Sequence, residues 1–444
     1  MQPAHHLLST ASHLSVTGRW ALLAMLAVGA LGVLGLLAAL GRMRPRALAV
    51  VAAAAVVGTA GIAATVWAAY RPLPLQLSAR DCAAVAAAVL GILAAVAVLA
   101  RAPRSRRAAV AVLAAAAVCL SAVGVVNRDL GRYPTLGAAA GHRPQQTAHD
   151  VDFASVPGPQ LRVQSGRPTS RFWQPPLRRT ADGVLTHVVI PGPASGFVAR
   201  PALVYLPPAY LDSPRALLPV LVLVAGNPGS PDDWLGNGLA DSLTAFAAAH
   251  DGLAPVVVVP DALGAQDAEP LCLDSRLGNV DTYLAADVPA WIAQNLQVDT
   301  DPRSRAIGGY SYGGTCSVQL SVNHPDVYPT FLDISGQDEP SLGDHPGTVA
   351  ATFGGNEEAF AAVNARDVLA RRGSPDVAGV FVAGAEDEEY RPQQQRMFAA
   401  ARAAGLDARY YELPGGHSGQ VWAPALAGEL DWLARRTGLL AASD

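Results

Sequence analysis

The chain has 444 residues, a formal net charge of −4, and a composition that is 51% hydrophobic and 15% charged. That balance leaves no basic footprint for nucleic acid, and neither finger-type nor phosphate-loop spacing occurs. The sequence has no lysine, so arginine carries all the fixed positive charge.

The first third is one kind of object. Residues 20–41, 47–70, 82–100 and 108–126 are apolar throughout and free of Asp, Glu, Arg and His. Each is about long enough for a helix to cross a hydrocarbon core, which takes roughly 20 residues. A cleavable signal peptide fits poorly, because four such segments follow one another with no basic stretch before the first. Buried helices of a soluble bundle would show a polar face, and these do not. The expectation is an all-α four-helix transmembrane region over residues 1–126.

Arginine counts give its orientation. The connection from Arg42 to Arg46 carries three arginines and that from Arg101 to Arg107 four, whereas the 71–81 connection has Arg71 and Arg80 beside Asp81. The positive-inside rule then places both basic connections in the cytoplasm, with the N-terminus and everything after residue 126 outside. With no ionisable residue inside the spans, anchoring is a better expectation than transport. Residues 127–180, rich in Pro, Gly, Arg and Gln, read as a linker, with Phe172-Trp173 as a docking point.

Residues 181–440 alternate strand and helix patterns. Val184 to Ile190 and Ala202 to Leu206 read as an opening antiparallel pair. Strands follow at 219–225, 255–260, 304–309, 330–335, 378–384 and 408–413. Between and after them come helices at 237–250, 281–296, 312–323, 356–371, 391–404 and 422–436. Such alternation predicts an α/β class domain, a mostly parallel sheet with helices on both faces. Loops 261–280 and 336–355 are expected to shape a pocket.

The chemistry-bearing motif is Gly309-Tyr310-Ser311-Tyr312-Gly313, a G-x-S-x-G between a strand and a helix. A serine on so tight a turn needs small neighbours, so that strand and helix can approach. The bare pattern also matches ordinary turns; context and partners strengthen it. A catalytic acid and a histidine should follow in that order. Val380 to Gly384 reads as a buried strand running into Glu386 and Asp387, with Asp387 three residues past Gly384 and Glu386 the alternative acid. The bland reading of Glu386 to Glu389 is a solvated run at a helix start. His417, in Gly415-Gly416-His417-Ser418, is the only histidine after that acid. His187, His250, His324 and His345 all precede it and receive no role. Strand 219–225 runs into Gly226-Asn227-Pro228-Gly229, where one oxyanion N–H is expected from Asn227, because Pro228 has none to give. The second belongs to Tyr312.

These segments resemble the putative-esterase family of α/β hydrolases. That family contains the secreted mycolyltransferases of mycolate-bearing cell walls and has esterase D, S-formylglutathione hydrolase, as a relative. The resemblance covers roughly residues 180–440. Family members often carry His-Ser-Trp-x-x-Trp at the catalytic histidine. Here the run is His417-Ser418-Gly419-Gln420-Val421-Trp422, which keeps the second tryptophan and lacks the first. The resemblance implies an α/β-hydrolase fold, a serine-dependent ester hydrolase or acyltransferase, and the triad Ser311, Asp387 and His417.

Cys272 and Cys316 fall in the outward part, where oxidising surroundings would favour a bridge between them; two buried thiols are the alternative. Cys82 and Cys119 lie in membrane segments at different depths and are not expected to pair. The whole then reads as a membrane-anchored serine esterase or acyltransferase. Its substrates would be acyl esters, lipids or glycolipids of the cell envelope, with no cofactor, metal or nucleic acid. A non-catalytic wall-binding protein on the same scaffold is the alternative, and a serine peptidase a weaker third.

Overall fold

The computed structural model describes residues 16, 19–41, 44–69, 79–130, 160–161, 168–177, 182–266, 268–373 and 376–441. The chain forms two compact units, Met1–Pro144 and Gln145–Asp444.

The first unit contains α1 (Arg19–Leu40), α2 (Pro45–Ala69), α3 (Ala79–Leu99) and α4 (Arg106–Leu130). All four are long and apolar enough to cross a membrane. Small residues bring α1 and α4 together. A Cβ on Gly29 would stand 2.5 Å from Ser121 Oγ, and one on Gly32 would stand 2.7 Å from the Ala114 carbonyl oxygen. Ala94, Ala111 and Ala115 are buried, whereas large apolar chains such as Leu31, Val57 and Leu113 point outward. A water-soluble bundle would place them the other way round.

Among the described residues, the second unit is built on an eight-stranded sheet. Its strands are β1 (Val184–Val188), β2 (Ala202–Leu206), β3 (Val220–Val224), β4 (Val256–Val259), β5 (Arg305–Tyr310), β6 (Thr330–Ile334), β7 (Ala378–Gly384) and β8 (Asp407–Leu413). The spatial order is β8-β7-β6-β5-β3-β4-β2-β1. β1 and β2 pair antiparallel, as do β2 and β4, and the remaining pairs are parallel. β3, β4 and β7 are buried along their whole length, which is why they read as unbroken apolar runs. β8, at the sheet edge, alternates half-buried and exposed residues.

Among the described residues, this unit's helices of seven residues or more are α5 (Leu239–Ala249), α6 (Val288–Asn295), α7 (Tyr312–Asn323), α8 (His345–Phe353), α9 (Glu357–Val363), α10 (Ala365–Arg372), α11 (Tyr390–Ala403) and α12 (Gly419–Arg436). They cover both faces of the sheet, giving the α/β-hydrolase architecture. Three details differ from the sequence reading. α8 occupies part of the expected 336–355 loop, started by Asp344, whose side chain accepts from Gly347 N–H. The single helix expected at 356–371 is two, broken at Asn364, where the backbone is extended. The linker expected over 127–180 is not wholly separate from the second unit. Thr169 and Ser170 donate their N–H groups to the carbonyls of Gly438 and Leu439, and Trp173 is buried with its indole N–H on Asp251 O. Residues 131–159, 162–167 and 178–180 of that stretch lie outside the described residues.

Candidate active site

The site is assembled at the C-terminal ends of β3, β5 and β7. β5 ends at Tyr310 and α7 begins at Tyr312, so Ser311 alone makes the turn, at φ 56° and ψ −122°. That is a conformation an L-residue adopts only under strain. The surrounding glycines are required sterically. A Cβ on Gly309 would lie 2.3 Å from the Gly313 backbone, and one on Gly313 would lie 2.1 Å from Val224 O of β3. Ser311 N–H donates to Ile334 O at the end of β6, which ties the turn to the neighbouring strand.

His417 reaches this serine from the loop after β8. Its Nε2 lies 2.9 Å from Ser311 Oγ, and its Nδ1 lies 2.8 Å from Asp387 Oδ2. Asp387 is wholly buried, and its other oxygen accepts the Tyr390 N–H at the start of α11. Glu386 points elsewhere: it is exposed, and its carboxylate accepts the Gly415 N–H in the histidine loop. The structure therefore brings Ser311, His417 and Asp387 into one chain of hydrogen bonds and leaves Glu386 outside it.

Asn227 follows β3, and Gly226 just before it is packed so closely that a Cβ would meet the Tyr310 ring at 2.6 Å. Tyr312 occupies the first turn of α7, where backbone N–H groups have no intrahelical acceptor. Its phenol is buried, donates to Ala262 O and accepts from Cys272 N–H. Burial raises its pKa above the ordinary tyrosine value. Cys272 and Cys316 form a disulfide with Cα atoms 5.5 Å apart, joining the loop after β4 to α7. Cys82 and Cys119 are free.

Tyr390 and the Arg200–Asp261 pair were not legible as site residues in the sequence, whereas Trp422 belongs to the His417–Trp422 run singled out there. The Tyr390 ring stacks on His417, and Trp422 meets the same imidazole edge-on at 5.4 Å while stacking on Tyr310. Tyr390 had one local signal, its place three residues after Asp387. Half-buried Arg200 and buried Asp261 form an ion pair, with Nη2 to Oδ1 at 2.7 Å; the same Nη2 donates to Gly229 O in the turn after Asn227. Distance in sequence hid that pair. The four earlier histidines stand apart from Ser311. His187 pairs with Asp232, His250 with Asp431, His324 with Asp281, and His345 with Glu339 and Glu357. Among the described residues no cluster of His, Cys, Asp and Glu could hold a metal.

Comparison with known proteins agrees with this architecture. The family model described as putative esterase matches residues 199–433. An uncharacterized protein of Corynebacterium glutamicum is 41% identical over 323 residues, 71% of this chain and 73% of that one. The structure of a ferulic acid esterase superposes with a TM-score of 0.50 at 19% identity, covering 57% of this chain and 98% of that one. An S-formylglutathione hydrolase from Agrobacterium tumefaciens gives 0.48 at 17% identity, covering 59% and 99%. The chain belongs to the putative-esterase family of carboxylic-ester hydrolases.

Proposed function

We propose that this protein is a membrane-anchored serine esterase or acyltransferase acting on acyl esters of the cell envelope. The observation that carries the reading is the unbroken relay from Ser311 Oγ through both ring nitrogens of His417 to the buried Asp387. Ser311 Oγ attacks the acyl carbon, and His417 Nε2 takes its proton as that bond forms. Asp387 holds the Nδ1–H tautomer and stabilises the imidazolium. The N–H groups of Asn227 and Tyr312 receive the developing oxyanion, and losing one such donor typically costs about 2.7–4 kcal/mol. The ester C–O bond then breaks, and His417 returns the proton to the departing alkoxide. Water or an acceptor hydroxyl takes the acyl group from Ser311 by the same steps in reverse.

Anchoring is supported by the four long apolar helices, with large side chains outward and small ones inward. The outward placement of the catalytic unit rests on the arginine-rich 42–46 and 101–107 connections. Full-length protein should label with a fluorophosphonate and hydrolyse a panel of acyl esters, and Ser311→Ala should abolish both. Retained labelling in Ser311→Ala would remove the serine from the mechanism. A wild-type protein that binds envelope esters without labelling would instead be the wall-binding scaffold. Protease added to intact spheroplasts should release a soluble fragment carrying Ser311; protection of that fragment would reverse the orientation.

A further inference from the structure

The turn after β3 is fixed at both ends. Gly226 packs against the nucleophile: a Cβ there would stand 2.6 Å from the Tyr310 ring and 3.4 Å from Ser311 Cβ. At the far end the turn folds back on itself, since a Cβ on Gly229 would lie 2.4 Å from Gly226 O. Both polar groups of the Gly229 main chain are held by other segments. Its N–H donates to Gln266 O at 3.0 Å, and its carbonyl accepts from Arg200 Nη2 at 2.8 Å. Asn227, the expected oxyanion donor, lies between these two fixed glycines.

Arg200, two residues before β2, does more here than neutralise a carboxylate. Its Nε and Nη2 take Asp261 in a fork, to Oδ2 at 3.0 Å and to Oδ1 at 2.7 Å, and its main-chain N–H donates to Oδ2 at 2.7 Å. Asp261, buried just after β4, also accepts from the N–H groups of Leu263 and Gly264, so its own position is fixed. A two-point fork of this kind sets the plane of the guanidinium. In that plane Nη2 also meets Gly229 O, and Nη1 reaches Gln266 Oε1 at 3.4 Å. A staple between the segments before β2 and after β4 would be complete with Asp261 alone. The bond to Gly229 O goes past it, into the turn that carries Asn227.

We propose that Arg200 is a positioning residue for the oxyanion donor: by holding Gly229 O against the Asp261 carboxylate, it fixes the direction of the Asn227 N–H beside Ser311. The inference rests on the serine-esterase reading of Ser311, with Asn227 as donor. Preorganised donors stabilise a developing oxyanion because they need no reorientation during the reaction, and a donor left free to tilt loses that advantage. Arginine is the residue type this arrangement needs. Its rigid fork meets a carboxylate and a carbonyl at once, whereas a lysine ammonium is a point charge that can keep the ion pair without setting a plane. The effect should fall on the transition state, where the oxygen becomes charged, and hardly on substrate binding.

The test uses full-length protein in detergent and two variants. Arg200→Lys keeps a positive charge beside Asp261 and loses the fork. Arg200→Gln combined with Asp261→Asn removes both charges, so that neither is left unpaired in the fold. Saturating fluorophosphonate labelling counts competent Ser311 sites, and each rate is expressed per labelled site, which takes unfolded protein out of the comparison. Two quantities are then measured: turnover of p-nitrophenyl butyrate, and inhibition by a trifluoromethyl ketone, whose adduct with Ser311 places an oxyanion in the hole. Both variants should lose about tenfold to a hundredfold in kcat and bind the ketone more weakly by a similar factor, with KM within about twofold of wild type. A purely structural staple would lower the melting temperature and leave kcat per labelled site unchanged, and that result overturns the proposal. A fall in kcat with the ketone affinity intact overturns it too, as does a change confined to KM. Labelled wild type with unaffected variants sinks only the Arg200 assignment, whereas unlabelled wild type sinks the esterase reading beneath it.

Discussion

The ring of Tyr390 lies flat against His417, with centroids 3.9 Å apart and 20° between the planes. The two are also joined through Asp387, which accepts the Tyr390 N–H on one oxygen and meets His417 Nδ1 on the other. One carboxylate thus starts α11 and orients the imidazole, and the helix it starts returns a ring that keeps the imidazole from tilting. Trp422 meets the same imidazole edge-on.

Removing the Tyr390 ring should loosen the imidazole without removing any reacting group. Tyr390→Ala is expected to lower kcat by about tenfold to a hundredfold, in line with the cost of small misplacements in active sites. KM should change little, and Tyr390→Phe should retain activity. A kcat unchanged in Tyr390→Ala would show that Asp387 alone fixes the ring.

The two neighbouring carboxylates should separate cleanly. Asp387→Asn leaves an isosteric partner but favours the wrong histidine tautomer, and a loss of about 10⁴ in kcat is expected. Glu386→Gln only weakens a contact to Gly415 N–H and should cost far less. Steady-state kinetics on one ester decide it, and the reverse order would reassign the acid.

Asp333, wholly buried at the end of β6, supports the elbow from below. Gln394 Nε2 and Gly336 N–H donate to its Oδ1, at 2.6 and 3.0 Å. Burial raises its carboxyl to about 7. The folded state therefore holds a proton that the unfolded chain gives up near its ordinary pKa of about 4. With more protons bound in the folded state, stability falls as pH rises from about 4 through about 7. Asp333→Asn keeps the acceptor oxygen and cannot ionise. Thermal melts should find its stability relative to wild type greater at pH 8 than at pH 5, by on the order of 1–3 kcal/mol. Equal differences at both pH values would contradict a buried, titrating Asp333.

The disulfide between Cys272 and Cys316 closes a loop with a sequence separation of 44. In the chain-entropy model a loop of that size is worth about 4 kcal/mol. Reduction should lower the melting temperature and slow ester turnover together, both recovering on reoxidation. Two alkylatable thiols in protein purified without reductant would remove the bridge.

Local sequence determined much of this protein. The unbroken apolar runs of the first third fixed four membrane-length helices, because helix length and hydrocarbon thickness are matched by arithmetic. Strand and helix periodicity located β1 to β8, and the spacing of Gly309, Ser311 and Gly313 marked the turn, since backbone sterics there depend on adjacent residues. His417 followed from chain order. Only the tertiary structure decided the rest. Whether Asp387 or Glu386 meets His417 depends on which way consecutive side chains leave the end of β7, and that is set by the contact of Glu386 with Gly415. The Tyr390 ring on the imidazole and the Arg200–Asp261 pair beside the Asn227 turn join segments far apart in the chain. Burial and electrostatic partnership between distant segments exist only once the sheet has brought them to one edge.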